Sequence, residues 1–192
     1  MTTRGDSFLI QQVIDGNTNA FQFLVLRYQP RIFQCLASYR LAHPIIEELA
    51  QETFVRAFKN LRSYRGEKGA SFSTWLFVIA KRVALDEMSR AARIREISTQ
   101  DGRNPNVSTY AECRTPETIL QLKWNQNILQ TALNQLPDVF RRAVTLAEIA
   151  EHSMSEIAVI EKCSVGTVKS RVHRGKEMLR TILLPETYRI RP

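Results

Sequence analysis

Apolar residues in this chain recur at three- and four-residue spacing and nowhere alternate convincingly with polar ones, which points to helices throughout. The clearest case follows Pro44, a residue suited to the first turn of a helix. Behind it Ile46, Leu49, Ala50, Thr53, Phe54, Ala57, Phe58 and Leu61 fall at i, i+3, i+4, i+7, i+8, i+11, i+12 and i+15. That is one stripe, expected to be buried without a break. Asn19 is suited to cap an earlier helix reaching about Arg40, with a kink expected at Pro30. A loop from Arg62 to Ala70 carries Gly66 and Gly69. Ser71 or Ser73 can then cap a helix running through Trp75 and Met88. The expected fold class is all-α.

The periodicity fails between Arg93 and Thr115, where Ser98-Thr-Gln-Asp-Gly-Arg-Asn-Pro-Asn-Val-Ser-Thr has the composition of a linker. A chain of 192 residues holds one medium core or two small ones. The expected organisation is therefore two small helical domains, 1–93 and 116–192, joined by a flexible linker at 94–115. Thr115-Pro116 and Pro137 each read as the start of a helix in the second domain.

Several function classes fall away at this stage. The longest purely apolar run, Trp75 to Ala80, is six residues, against the roughly 20 that span a bilayer. The opening Met1-Thr-Thr-Arg-Gly-Asp6 lacks a basic-then-apolar signal segment, so a cytoplasmic location is expected. Cys35, Cys113 and Cys163 support neither a disulfide framework nor a zinc site. His152 reads as a helix end, and no pairing with Cys163 to hold a metal is expected. No phosphate loop, nucleophile elbow or metalloprotease signature occurs, so neither catalysis nor a cofactor is expected.

The net charge of +8 is unevenly spread. Lys162 to Pro192 carries eight basic and two acidic residues, and Lys81 to Arg95 carries five and two; the intervening Pro137 to Glu161 is acidic, with five against two. Two separate positive patches suit a polyanion held in two places. Near the second patch, Ser153-Met-Ser-Glu156 has the form of a capping box. Ser164 caps another helix a few residues on, and small Ala158 is placed for a close crossing. Two short helices joined this tightly read as a helix-turn-helix, with a plain helical hairpin as the alternative. On a wheel at 100° per residue, Val165, Val168, Val172 and Leu179 gather on one side of the second helix. Opposite lie Gly166, Ser170, His173 and Glu177, with Thr167 and Arg174 adjacent. Lys169, Lys176 and Arg180 line one rim and Arg171 the other. Hydrogen-bonding groups in the middle with cations at the edges suit base reading between gripped phosphates.

At this point the run Cys163-Ser-Val-Gly-Thr-Val-Lys-Ser-Arg-Val-His-Arg-Gly-Lys-Glu-Met-Leu-Arg180 resembles the −35-reading helix of group 4, extracytoplasmic function sigma factors of the sigma-70 family. Leu136-Pro137, Arg141 and Ser155-Glu156-Ile157-Ala158 resemble the segment before it. In the first domain, Ala20-Phe21, Leu24 and Arg27-Tyr28-Gln29-Pro30-Arg31 are similar to the family's first region. Glu48 to Phe58 is similar to its polymerase-binding helix, and Phe72-Ser-Thr-Trp-Leu76 with Ile79-Ala80 to its −10 region.

The resemblance implies a transcription initiation factor that takes core RNA polymerase to promoters. It implies that Glu48, Gln51, Glu52, Val55 and Arg56 dock on the clamp helices of the largest polymerase subunit, with a second contact at the flap. It implies that the opened −10 strand meets Arg62, Tyr64, Arg65, Phe72, Trp75, Lys81 and Arg82, aromatic platforms beside cations as single strands require. Trp75, Val78, Arg82 and Asp86 share one stripe of that helix. For the −35 duplex, Ser170, His173 and Arg174 are expected to read bases, with Thr167 beside them, and Lys169, Arg171 and Lys176 to hold phosphates. A monomer restrained by an anti-sigma factor, of the kind often anchored in the inner membrane, is the implied free state. The chain departs from the family pattern at Lys81-Arg82, where Arg-Asn is usual, and at Glu161-Lys162, where Leu-Gly is frequent. The second departure places Lys162 in a left-handed conformation costing about 1 kcal/mol. Rival readings are a conventional helix-turn-helix repressor or activator, which binds its operator without polymerase, and a protein-binding adaptor with no affinity for DNA.

Overall fold

A computed structural model describes residues 5–64, 66, 71–100 and 128–188, and the ordered elements among them are all helical. They fall into two compact units, an N-terminal one and a C-terminal one.

The N-terminal unit opens with α1 (Asp6–Ile14), for which the sequence patterning gave no signal; Leu9 and Ile10 are its buried residues. Its first carboxylate, Asp6, accepts from the Arg27 guanidinium and from the Tyr28 hydroxyl of α2 (Phe21–Ala37). Asn19, expected as a cap, lies inside a 3-10 turn (Thr18–Ala20) instead. Helix α2 continues through Pro30 and ends at Ala37, short of Arg40. Pro30 is on the exposed side, where water can take the bond that proline cannot make.

Helix α3 (His43–Lys59) buries Ile46, Leu49, Ala50, Thr53, Phe54 and Ala57 as its spacing requires. Thr53 is tolerated in the core because its hydroxyl donates to the Leu49 carbonyl at 2.7 Å. Leu61, in the following 3-10 turn (Leu61–Ser63), completes the stripe. Phe58 breaks it: the side chain is 40% exposed and meets the core edge-on at Phe21, centroids 5.1 Å apart.

Ser71 caps α4 (Phe72–Gln100), its hydroxyl accepting from the Thr74 amide at 3.2 Å. The helix extends past Arg93, where the periodicity stops. Residues 93–100 contain neither glycine nor proline, so helix propensity carries the backbone on after the buried stripe has ended.

In the C-terminal unit, α5 (128–135), α6 (Asp138–Val144) with a π turn (Thr145–Ile149), α7 (Met154–Glu161) and α8 (Val165–Tyr188) follow in order. Ala132, Leu133, Leu136, Val144 and Leu179 form its core cluster. Arg141 ties the α5–α6 turn together, donating to the Leu136 carbonyl at 3.0 Å and to Asp138 at 2.6 Å. Burial lowers its pKa from the usual guanidinium value, against the pull of Asp138.

The capping box is complete: Glu156 N–H donates to the Ser153 hydroxyl at 3.3 Å, and Ser153 N–H donates to the Glu156 carboxylate at 2.9 Å. Lys162 then takes φ 53°, ψ 51°, the left-handed turn that its family position implies. A left-handed conformation costs a non-glycine residue about 1–2 kcal/mol, and glycine loses about 0.5–1 kcal/mol of that through its unfolded-state entropy. Lys162→Gly is therefore expected to stabilise the unit by about 0.5–1 kcal/mol. A urea midpoint no higher than that of the parent chain refutes it.

Ser164 caps α8, accepting from the Thr167 amide at 3.1 Å. Val168, Val172 and Leu179 face the core, but Val165, grouped with them on the wheel, is 40% exposed. It occupies the first turn of α8, where a wheel position carries no guarantee of a neighbour. Ala158, expected at the crossing of α7 and α8, is half-buried; a separate close approach lies between α6 and α8 at Gly175, where an added Cβ falls 2.5 Å from Val144 Cγ2.

Candidate nucleic-acid interface

Helix α8 presents one polar face. Gly166, Lys169, Ser170, His173, Arg174 and Lys176 are exposed along it, with Thr167 and Arg171 half-buried at the edges. Among the described residues, no hydrogen bond or ion pair between side chains engages Lys169, Ser170, His173 or Arg174. Those four are available to a ligand. Gly166 has no side chain, and the other three are partly committed. Thr167 and Ser164 share a hydroxyl–hydroxyl bond of 2.9 Å, and an Arg171 nitrogen lies 3.9 Å from Cys163 Sγ. Lys176 Nζ is 2.6 Å from Glu148 of the π turn. Both partners are about half exposed, so that pair is worth at most about 1 kcal/mol and can open for a phosphate.

The second cluster lies on the N-terminal unit. Tyr64 and Phe72 meet edge-on at 5.6 Å, Tyr64 and Trp75 are tilted at 5.3 Å, and Phe72 and Trp75 are 5.7 Å apart. Tyr28 closes the group from behind, 5.6 Å from Phe72. Phe72, expected among the stacking platforms, is 3% exposed with its ring taken up by these three neighbours. It supports the platform without offering a face. Tyr64 and Trp75 are half-buried.

Burial, and then the bond to Asp6, raise the Tyr28 pKa well above the phenol value; burial also raises that of Tyr64. Both hydroxyls therefore stay protonated across the physiological range. Arg62 and Arg82 are exposed and Lys81 is half-buried. Arg82 stands about 10 Å along α4 from Trp75, seven residues at the helical rise. Arg65 lies outside the described residues.

A third face belongs to α3. Glu48, Gln51 and Val55 are exposed, and Glu52 and Arg56 are half-buried. Arg56 Nε donates to Glu52 at 2.7 Å, and its NH1 donates to Asp86 of α4 at 3.2 Å. Asp86, grouped by the wheel with Trp75, Val78 and Arg82, is thus drawn toward α3. The sequence reading assigned no partner to Asp6, Tyr28 or Gly175. Their partners stand far away in the chain or on another helix, beyond what local periodicity registers.

An exposed, cation-bearing second helix of a helix-turn-helix in one unit and an aromatic cluster beside cations in the other are the features of a two-domain protein of the DNA-binding class. Comparison with known proteins narrows that class. The sigma-70 region 2 family matches residues 24–94, and sigma-70 region 4 matches 126–179. The ECF RNA polymerase sigma-E factor of Haemophilus influenzae is 33% identical over 184 residues, covering 94% of this chain and 96% of its own. That of Escherichia coli K12 is 31% identical over 178 residues, covering 91% and 92%.

Among solved structures, the sigma factor RpoE of Bartonella quintana, in complex with the anti-sigma factor NepR, is similar at a TM-score of 0.65 and 28% identity, over 85% of this chain and 96% of that one. CnrH in complex with the cytosolic domain of CnrY shares the fold at a TM-score of 0.64 and 23% identity, over 93% and 96%. The chain belongs to the extracytoplasmic function group of the sigma-70 family, the factors that direct RNA polymerase to promoters. Such factors have no catalytic activity. A conventional repressor accounts for the helix-turn-helix and leaves the match to region 2 unexplained. Among the described residues no helix is long and apolar enough to cross a membrane.

Proposed function

We propose that the chain carries out promoter recognition through three separate surfaces. The exposed α8 face takes the −35 duplex, with Ser170, His173 and Arg174 at the base edges beside Thr167, and with Lys169, Arg171 and Lys176 on phosphates. The observation that carries this assignment is the row of unengaged polar side chains on α8, with Ser170, His173 and Arg174 opposite Val168, Val172 and Leu179 and Lys169 on the rim. Tyr64 and Trp75, with Arg62, Arg65, Lys81 and Arg82, take the opened −10 strand, and Phe72 holds the two rings in place. Glu48, Gln51, Glu52, Val55 and Arg56 on α3 dock on the polymerase clamp helices, with a second contact at the flap.

Residues 1–93 and 116–192 act as the two DNA-reading domains, joined by 94–115, of which 94–100 continue α4. Once one domain is placed, the other binds at high effective concentration, so neither needs high affinity alone. In the free state the chain is a monomer held by an anti-sigma factor. The similar RpoE was solved with such a partner, which supports the reading. Where that partner is membrane-anchored, the chain is retained at the inner membrane until release. The test is co-elution with core RNA polymerase. The parent chain is expected to form a stoichiometric complex, and Gln51→Ala or Glu52→Lys to weaken it with unchanged circular dichroism. Undiminished affinity in both variants overturns the α3 assignment.

A further inference from the structure

Helices α3 and α4 enclose an open groove of about 420 Å³, floored by Leu49 and Val83. Its α3 wall is the face assigned above to polymerase, and its α4 wall is Asp86, Glu87 and Arg90. Four carboxylates (Glu48, Glu52, Asp86, Glu87) stand against two guanidinium groups (Arg56, Arg90), a surplus of two negative charges. Both guanidinium groups already have carboxylate partners within the groove. Arg56 reaches Glu52 at 2.7 Å and Asp86 at 3.2 Å, and Arg90 reaches Glu87 at 2.9 Å. The groove therefore offers little cation to an incoming group and a net excess of carboxylate.

We infer that Asp86 and Glu87 of α4 complete the polymerase-docking surface, making it a two-helix acidic groove whose occupant is a cationic element of core RNA polymerase. This rests on the assignment of the α3 face to polymerase. Charge sign argues against nucleic acid here, because a phosphate chain entering the groove meets the surplus carboxylates. Pre-organisation argues for a built surface. A guanidinium bridged between carboxylates on two helices has already lost the rotamer freedom that binding otherwise removes. The same bridge raises the Arg56 pKa, chiefly through the hydrogen bond to Glu52 and then that to Asp86, so the cation is permanent. Helix α4 then divides its length between two partners, nucleic acid near Trp75 and Arg82, and polymerase one turn beyond Arg82.

The experiment measures affinity of the full chain for core RNA polymerase, without DNA, at two salt concentrations. Asp86→Lys and Asp86→Asn are compared with the parent and with Gln51→Ala. Asp86→Lys is expected to weaken binding about tenfold and to flatten its salt dependence, and Asp86→Asn to do the same to a smaller extent. The neutral variant keeps the side-chain shape, so its effect is read even if the lysine variant misfolds. Parent-like affinity and salt slope in the Asp86 variants, with Gln51→Ala weakened, confines docking to α3 and overturns the inference alone. Parent-like binding in all three overturns both the inference and the α3 assignment beneath it.

Discussion

Gly175→Val is expected to destabilise the C-terminal unit by about 1–3 kcal/mol, the cost of overpacking a closed helix contact. A Cβ at this position falls 2.5 Å from Val144 Cγ2, 3.3 Å from the Phe140 carbonyl oxygen and 3.4 Å from Phe140 Cβ. Two of the three are backbone or near-backbone atoms of α6, and valine is stiff at χ1, so neither partner yields cheaply. A β-branched replacement then adds two methyl groups to the same gap. Gly175→Ala places the same Cβ and is expected to destabilise too, but by less than the valine variant, because it adds no γ-methyl groups and recovers up to about 1 kcal/mol of helix propensity. Urea unfolding of the full chain, with hydrogen exchange at the α8 amides to assign the loss to this unit, measures both. Equal stability in the two variants rules out tight α6–α8 contact as the reason for glycine here.

Arg174→Ala is expected to weaken binding of the −35 duplex by about 1–3 kcal/mol, the range for losing one good contact to a base edge. Arg174 is exposed at the centre of the reading face, and no side-chain partner among the described residues has to be broken first. Lys176→Ala is expected to cost less and to cost it uniformly across sequences, because that ammonium is shared with Glu148 at 2.6 Å. Holoenzyme affinity for a functional promoter and for a scrambled −35 element distinguishes the two. An Arg174→Ala loss that is the same on both duplexes assigns this arginine to phosphate instead.

Local pattern carried much of this structure. The α3 stripe was legible because six of its members are spaced so that one helical side buries them all. Both serine caps of the helix-turn-helix were legible because capping is a contact over three residues. What pattern misses is where a neighbour lies. Val165 and Phe72 illustrate the two directions of error: the wheel placed Val165 in the core, whereas it is 40% exposed in the first turn of α8. Phe72 was read as a platform, and the surrounding aromatic rings make it core. Helix α1 escaped notice because its anchor, Asp6, acts on Arg27 and Tyr28 some twenty residues away. Pairing across helices also hid the Asp86–Arg56 contact, since Asp86 lies in line with Trp75 and Arg82 on the wheel and its partner sits on α3.

Helix α4 is 29 residues long and unbroken, about 43 Å at the helical rise. Asp86 and Trp75 are eleven residues apart on that single rod, about 17 Å. A rod without a joint acts as a lever arm. A tilt of about 5° pivoting at Asp86 carries the Trp75 end through roughly 1.5 Å, about the rise of one helical residue. On the assignment proposed above, the angle at which polymerase holds one end sets where the other end meets DNA, and a mis-seated factor would misalign its aromatic rings even with every contacting side chain intact.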